Sequence, residues 1–399
     1  MLLTAEENAM LAGELGPAVR TAMRILAALG KIYQAESMLP VSSVQVSGVS
    51  FDNLGEAGLD WLAEMAAGGA RARVLTTLNP AGMDVENWRA LGISPDFAAN
   101  QQRVLDAFSQ MGILPTCTCT PYLVGNLPHF GEHIAWAESS AVCFANSVLG
   151  ARTNREGGPS ALAAAVTGRT PAYGLHLDEN RKPGLTIIVD CELSGTRDFG
   201  ALGVVVGRAI EKMPERPIPY FTSIASATLE ELKSLCASIA TYGGSALFHI
   251  EGITPEASQF SPAARSIKTS RAEIDSAILE FDNPAAGAVD FVSLGCPHLS
   301  IREIAEVASL LQGRQVRKEV WITTARPTKR LADQVGYTQI IEAAGAKFAA
   351  DTCCVVAPIT GRFKVMATDS AKACYYAFGK NHFRTRFLTL PELIEEACR

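Results

Sequence analysis

Strand-like and helix-like segments alternate along nearly the whole chain, and this alternation constrains the fold more than any single motif. "VSSVQVSGVS", "ARVLTTLN", "LTIIVDC", "SALFHI", "AVDFVSLG" and "EVWITT" read as strands, being short, apolar and bounded by turn residues. Helical stretches such as "LGEAGLDWLAEMAA" and "FGALGVVVGRAIEKM" lie between them. The pattern predicts an α/β architecture with mainly parallel sheets. At 399 residues the chain exceeds one ordinary core and divides into several lobes. Pro/Gly-rich joints fall near 180–184, 213–219 and 281–288. None is long or polar enough to be a flexible linker, so the lobes are expected to pack tightly. No repeat and no low-complexity tract interrupts the chain.

Composition narrows the partners. With 48% hydrophobic residues, 19% charged residues and a net charge of −6, the chain can bury a large core and carries no basic footprint for nucleic acid. The start, "MLLTAEENAMLAGELG", has no basic segment and reads as a helix with a Thr4/Glu7 capping box rather than a signal peptide. No apolar run reaches membrane-spanning length. The expectation is a soluble, cytoplasmic protein. Its ten cysteines then serve as small buried hydrophobes, metal ligands or reactive thiols, not as a disulfide frame.

Ligands of open α/β sheets gather at the carboxyl ends of strands, and three cysteine loops sit at such ends. In "LPTCTCTPYL" an extended chain would put Cys117 and Cys119 on one face. In "VDFVSLGCPHLSIREIAEVASLL" a buried strand runs into Cys296, and Ser300 with Glu303 forms a capping box for the next helix. A helix amino terminus favours a thiolate. In "KFAADTCCVVAPITG" the adjacent Cys353 and Cys354 point opposite ways, so at most one faces a given site. Three thiols from separate loops can hold an iron–sulfur cluster with one iron open. No C-x-x-C signal is present, and spacing alone fits plain buried cysteines better.

The stretch "NSVLGARTNREGGPSALAAAVTGRTP" brings Arg152 and Arg155 before Pro159 at a helix start, a pattern for carboxylate or phosphate as well as for a solvated loop paired with Glu132, Glu138 or Glu156. Before it, Ile134, Ala137, Ala141, Phe144, Ala145 and Val148 share helical spacing, ended by Gly150. In "MATDSAKACYYAFGK" Lys372 lies in the first turn of a helix capped by Thr368, Asp369 or Ser370, where a cation opposes the dipole unless an anion is near. His129, His133, His176 and His298 read as structural, with His298 also placed to support Cys296. Walker, G-x-S-x-G and H-E-x-x-H motifs are absent.

These loops together resemble the aconitase X family. The likeness rests on "PTCTCTPYLVGNLPHFGEHIAWAESSAV", "ANSVLGARTNREGGPSALAAAVTGRTPAYGLHLDENR", "FVSLGCPH", "DTCCVVAP" and "TDSAKA", and it runs over nearly all of residues 1–399. It implies an aconitase-like core of tightly packed α/β lobes and a hydro-lyase. It implies an iron–sulfur cluster, four-iron by the superfamily's open-iron logic or two-iron, held by Cys119, Cys296 and Cys353. Cys119 is preferred to Cys117 because the family block centres on "CTPY", and Cys353 to Cys354 because the block reads "DTC". With loop position, the resemblance makes Arg155, Ser370 and Lys372 holders of a substrate carboxylate. Asn146, Ser147 and Thr153 become orienting contacts, and Ser47 and Ser50 further ones. The swivelling small domain that carries the base serine is expected as a separate subunit, which makes the protein a heteromer with no base of its own. The resemblance offers two substrates. The alanine-rich, lysine-poor composition favours cis-3-hydroxy-L-proline, with mevalonate 5-phosphate as the alternative. A non-catalytic metal-binding subunit and a cysteine-nucleophile enzyme using Cys296 with His298 are the rival readings.

Overall fold

The computed structural model describes residues 1–282 and 287–399. A short antiparallel pair joins β1 (Met38–Pro40) to β5 (Arg169–Pro171). The other pairings between strands are parallel and form three sheets. The first has order β3 (Leu75–Leu78), β2 (Ser43–Val46), β4 (Ala135–Trp136). The second has order β8 (His249–Ile250), β7 (Pro219–Thr222), β6 (Leu185–Asp190), β9 (Ser266–Ser270). The third has order β12 (Lys347–Ala350), β11 (Glu319–Thr324), β10 (Phe291–Leu299), β13 (Val365–Thr368), β14 (Arg384–Phe387). The α/β expectation and its parallel sheets hold, because each parallel neighbour requires a crossover, and helices supply it.

The apolar cores run across these sheets. One joins Phe144 and Val142 of helix Ser139–Ser147 to β6 and to helices Gly195–Glu211 and Leu229–Tyr242. Another joins Met83, Leu91 and Ile93 from the first sheet's side to Phe291 and Trp321 of the third. Residues 213–219 connect a helix to β7 inside the second sheet. Of the joint near 281–288, residues 283–286 lie outside the described residues.

The joint near 180–184 is pinned by Arg181, which is 1% exposed. Its guanidinium donates to Glu256 at 2.6 and 3.0 Å, to Asn146, and to the carbonyls of Leu175 and Ala151. An Arg181→Met variant strands the buried Glu256 carboxylate, and the expected cost is ~3–5 kcal/mol. Urea unfolding of the two forms measures it, and an unchanged midpoint would contradict this account.

Two local readings are corrected. The helix expected through 131–150 spans only Ser139–Ser147; Ile134 and Ala137 lie before it, beside the short strand β4. The Glu138 side chain accepts from Ala141 N–H at 2.6 Å and starts the helix there. Cys117 and Cys119 do not share a face. Cys117 has φ +44°, which breaks the extended run and turns its thiol into the first lobe's core.

Candidate active site

Strand carboxyl ends of the first and third sheets face one another across a cavity of about 240 Å³. Ser47 follows β2, Asn79 follows β3 and Glu138 follows β4; Cys353 follows β12 and Lys372 follows β13. This is where open α/β sheets place ligands. A larger groove of about 850 Å³ shares Tyr376 and Lys380 with the cavity but is lined by none of its three thiols, which makes the smaller space the candidate site.

Cys119, Cys296 and Cys353 all line this cavity. The 114–119 segment runs beside β3, with Thr118 N–H donating to the Leu78 carbonyl at 2.9 Å. Cys296 reaches the cavity through an excursion in β10, whose register against β11 breaks between Leu294 and Leu299. Gly295 turns it at φ +101°; a Cβ there would stand 2.2 Å from the Thr323 carbonyl oxygen, so only glycine fits. Cys353 follows Asp351, which takes φ +66° and accepts from Arg326 Nε at 3.0 Å. Cys354 packs instead among Ala349, Trp321 and Met366.

Burial pushes the Cys119 and Cys296 thiols up to about 12, against the lowering effect of Lys372 on both. Cys353 is also raised by burial, with Cys354 and Cys119 adding to it. Burial at Cys296 thus opposes the thiolate that its position before a helix favours. Metal binding at these sulfurs must release protons.

Glu138 and Lys372 form a buried ion pair in the cavity wall, 6% and 9% exposed in their side chains. Burial alone would neutralise both. Their mutual attraction instead holds the carboxyl below its usual range and the ammonium above its own. Ser140 Oγ also donates to Glu138 at 2.6 Å. Lys372 has Glu138 and, at 3.5 Å, Ser140 as partners. The third ammonium proton is left for the cavity.

The remaining expected contacts are distributed differently. Ser47 lines the cavity. Ser50 is buried and donates to the Val356 carbonyl at 3.1 Å, which ties the first lobe to the third. Ser370 caps its helix by accepting from Ala373 N–H, and its hydroxyl also faces the Cys296 thiol. Asn146 uses both ends of its amide on Thr153, Ala246 and Arg181. Ser147 accepts from Phe248 N–H, and Thr153 bonds Trp136 N–H and the Asn154 carbonyl. These three are struts behind the cavity rather than groups that face it. Arg152 pairs with Asp178, a partner the sequence reading did not consider. Arg155 is exposed on the loop before helix Gly158–Thr167, and that loop passes beside Ser47 at Gly158. Among the groups missed were Lys380, Asn53 and Asn79. Lys380 pairs with Asp52 at 3.0 Å. Their signal was weak: Asn53 lies in the first turn of helix Phe51–Ala67, Lys380 in the π-helix Ala377–Asn381 and Asn79 just after β3, none of them within a motif.

Among the described residues no three His, Cys, Asp or Glu side chains surround a single metal position. Three thiols spread over one cavity beside a cation suit a cluster of several irons rather than a lone ion. The donor set therefore fits the group that the resemblance implies.

Three family domains match the chain: the Aconitase X first domain over residues 1–179, the second over 183–281 and the third over 289–399. A phosphomevalonate dehydratase large subunit of Methanothermobacter thermautotrophicus is 48% identical, covering 94% of this chain and 93% of its own. A cis-3-hydroxy-L-proline dehydratase of Pseudomonas aeruginosa is 33% identical, covering 99% of this chain and 70% of its own. The crystal structure of Thermococcus kodakaraensis aconitase X in its holo-form superposes with a TM-score of 0.92 at 43% identity over 100% of both chains. Fold and relatives define a carbon–oxygen lyase of the dehydratase class. The chain belongs to the aconitase X family.

No helix among the described residues is long and apolar enough to cross a membrane.

Proposed function

We propose that the chain is the large subunit of a mevalonate 5-phosphate dehydratase whose cluster is held by Cys119, Cys296 and Cys353. The observation that carries this reading is the meeting of those three thiols with Lys372 on one strand-end cavity. The substrate preference drawn from composition is reversed. Four relatives named phosphomevalonate dehydratase large subunits are 43–48% identical, against 32–33% for two cis-3-hydroxy-L-proline dehydratases. Alanine and lysine content says nothing of site chemistry, so the relatives carry more weight than composition.

Cys119, Cys296 and Cys353 would hold an iron–sulfur cluster, which when bound would supply a Lewis acid for the substrate hydroxyl. The chain's own residues do the rest of the binding. Lys372, oriented by Glu138, offers its free N–H to the substrate carboxylate. Ser47 adds a hydroxyl from the end of β2. Lys380 and Asn53, which line the cavity, are candidates for the phosphate, and Arg155, exposed on the loop before helix Gly158–Thr167, is a further one. The elimination removes a proton next to the carboxylate and breaks the C–O bond, giving an alkene and water.

Glu138 is a poor base for that proton, because the Lys372 ammonium outweighs burial and holds its carboxyl below the usual range. This supports a base supplied by a small subunit, as does the name "large subunit" carried by the relatives.

The test is an anaerobic assay of the reconstituted chain with its small subunit on both substrates. Consumption of mevalonate 5-phosphate with little action on cis-3-hydroxy-L-proline is the expected result. The reverse preference would overturn the substrate, and inactivity of the iron-loaded complex on both would favour a non-catalytic metal-binding subunit.

A further inference from the structure

We infer that His298 is a positioning residue that locks the three cysteine loops together and sets how long a cluster on them survives; this rests on the reading in the preceding subsection. His298 sits on the Cys296 excursion itself and is fully buried. Its Nε2 lies 2.9 Å from the Thr352 carbonyl, directly before Cys353. Its Nδ1 lies 3.0 Å from Thr118 Oγ1, directly before Cys119. Its main-chain N–H donates to Cys119 Sγ at 3.3 Å. One residue thus touches the loop of each of the three thiols.

The partners fix the proton positions. A carbonyl only accepts, so Nε2 carries the hydrogen, and in the neutral ring Nδ1 accepts from the Thr118 hydroxyl. Thr118 Oγ1 in turn accepts from Thr120 N–H at 3.1 Å, which leaves its own proton for the imidazole. Every polar group of the side chain is used once, with no conflict. The backbone at His298 is held from the far side: Lys233, 2% exposed, donates to the His298 carbonyl at 2.9 Å and pairs with Glu303. Glu303 belongs to the capping box of helix Ile301–Leu311. The chain of contacts therefore runs from a helix terminus through His298 to two further loops that share no sheet contact of their own.

Loop spacing matters here because a cluster is lost once one sulfur drifts from its iron. Partners that hold ligands in place change metal retention by about 10–100-fold. A side chain that only filled space would have no such effect when replaced by one of similar volume.

The experiment compares the wild type with His298→Leu, His298→Gln and Thr118→Val, each reconstituted anaerobically and challenged with an iron chelator while the visible absorbance is followed. His298→Leu and Thr118→Val are expected to lose the cluster about 10–100-fold faster. His298→Gln keeps an N–H in reach of the Thr352 carbonyl and is expected to fall between wild type and His298→Leu. Equal lifetimes for His298→Leu and the wild type, or for His298→Leu and His298→Gln, overturn the inference. If His298→Leu fails to fold, Thr118→Val decides alone: a wild-type lifetime there overturns it. A wild-type chain that takes up no iron and sulfide sinks the underlying reading instead, which is a distinct result.

Discussion

Cys119→Ser, Cys296→Ser and Cys353→Ser are each expected to abolish iron retention after anaerobic reconstitution, whereas Cys117→Ser retains it. The contrast is sharp because Cys117 and Cys119 are two residues apart and both buried. Only Cys119 borders the cavity; Cys117 lies in the core of the first lobe among residues such as Val46, Leu78 and Met111. Burial and Asp351 raise its thiol, as burial raises the thiols of Cys119, Cys296 and Cys353, so the distinction rests on its place in the core, where it packs as a small hydrophobe. Cys354→Ser belongs with Cys117→Ser on the same argument. Iron analysis of the purified variants settles the assignment, and iron kept by Cys119→Ser but lost by Cys117→Ser would reverse it.

Lys372→Met is expected to cost both stability and activity. It leaves the Glu138 carboxylate buried without its partner, a loss of ~3–5 kcal/mol. It also removes the cation offered to the substrate, and the expected fall in kcat is on the order of 100- to 1,000-fold, as for loss of one preorganised donor to a developing charge. The Glu138→Gln/Lys372→Met pair separates the two effects. Without an isolated charge it should regain most of the stability but none of the activity. Urea unfolding and the dehydratase assay read these independently. A double variant with wild-type turnover would mean that the ion pair is structural only.

Much of the fold was legible because its signals are local. Short apolar runs bounded by turn residues gave the strands, and the capping boxes at Thr4/Glu7 and Ser300/Glu303 stand as read. The 131–150 segment misled because Ile134 and Ala137 keep helical spacing by chance, while Glu138 caps a helix that starts after them. Of the candidate positions, Ser47, Cys119, Cys296, Cys353 and Lys372 line the strand-end cavity, and strand-end position was the signal for them. Asn146, Ser147 and Thr153 carry polar groups in the right block, yet Arg181 and Ala246 take up Asn146, Phe248 N–H takes Ser147, and Trp136 N–H with the Asn154 carbonyl takes the Thr153 hydroxyl. For Asn146 and Ser147 that use depends on contacts more than thirty residues away in sequence, which spacing cannot show. The pairing of Lys372 with Glu138 spans 234 residues and was out of reach for the same reason, although the odd placement of a lysine in a first helical turn had pointed to an anion nearby.

The central claim is that Cys119, Cys296 and Cys353 carry an iron–sulfur cluster. Its most direct test is the iron and acid-labile sulfide content of the wild-type chain after anaerobic reconstitution, read with the visible spectrum. The account predicts a brown protein in which iron and sulfide rise together. A colourless chain that binds neither would contradict it, and the three thiols would then be structural.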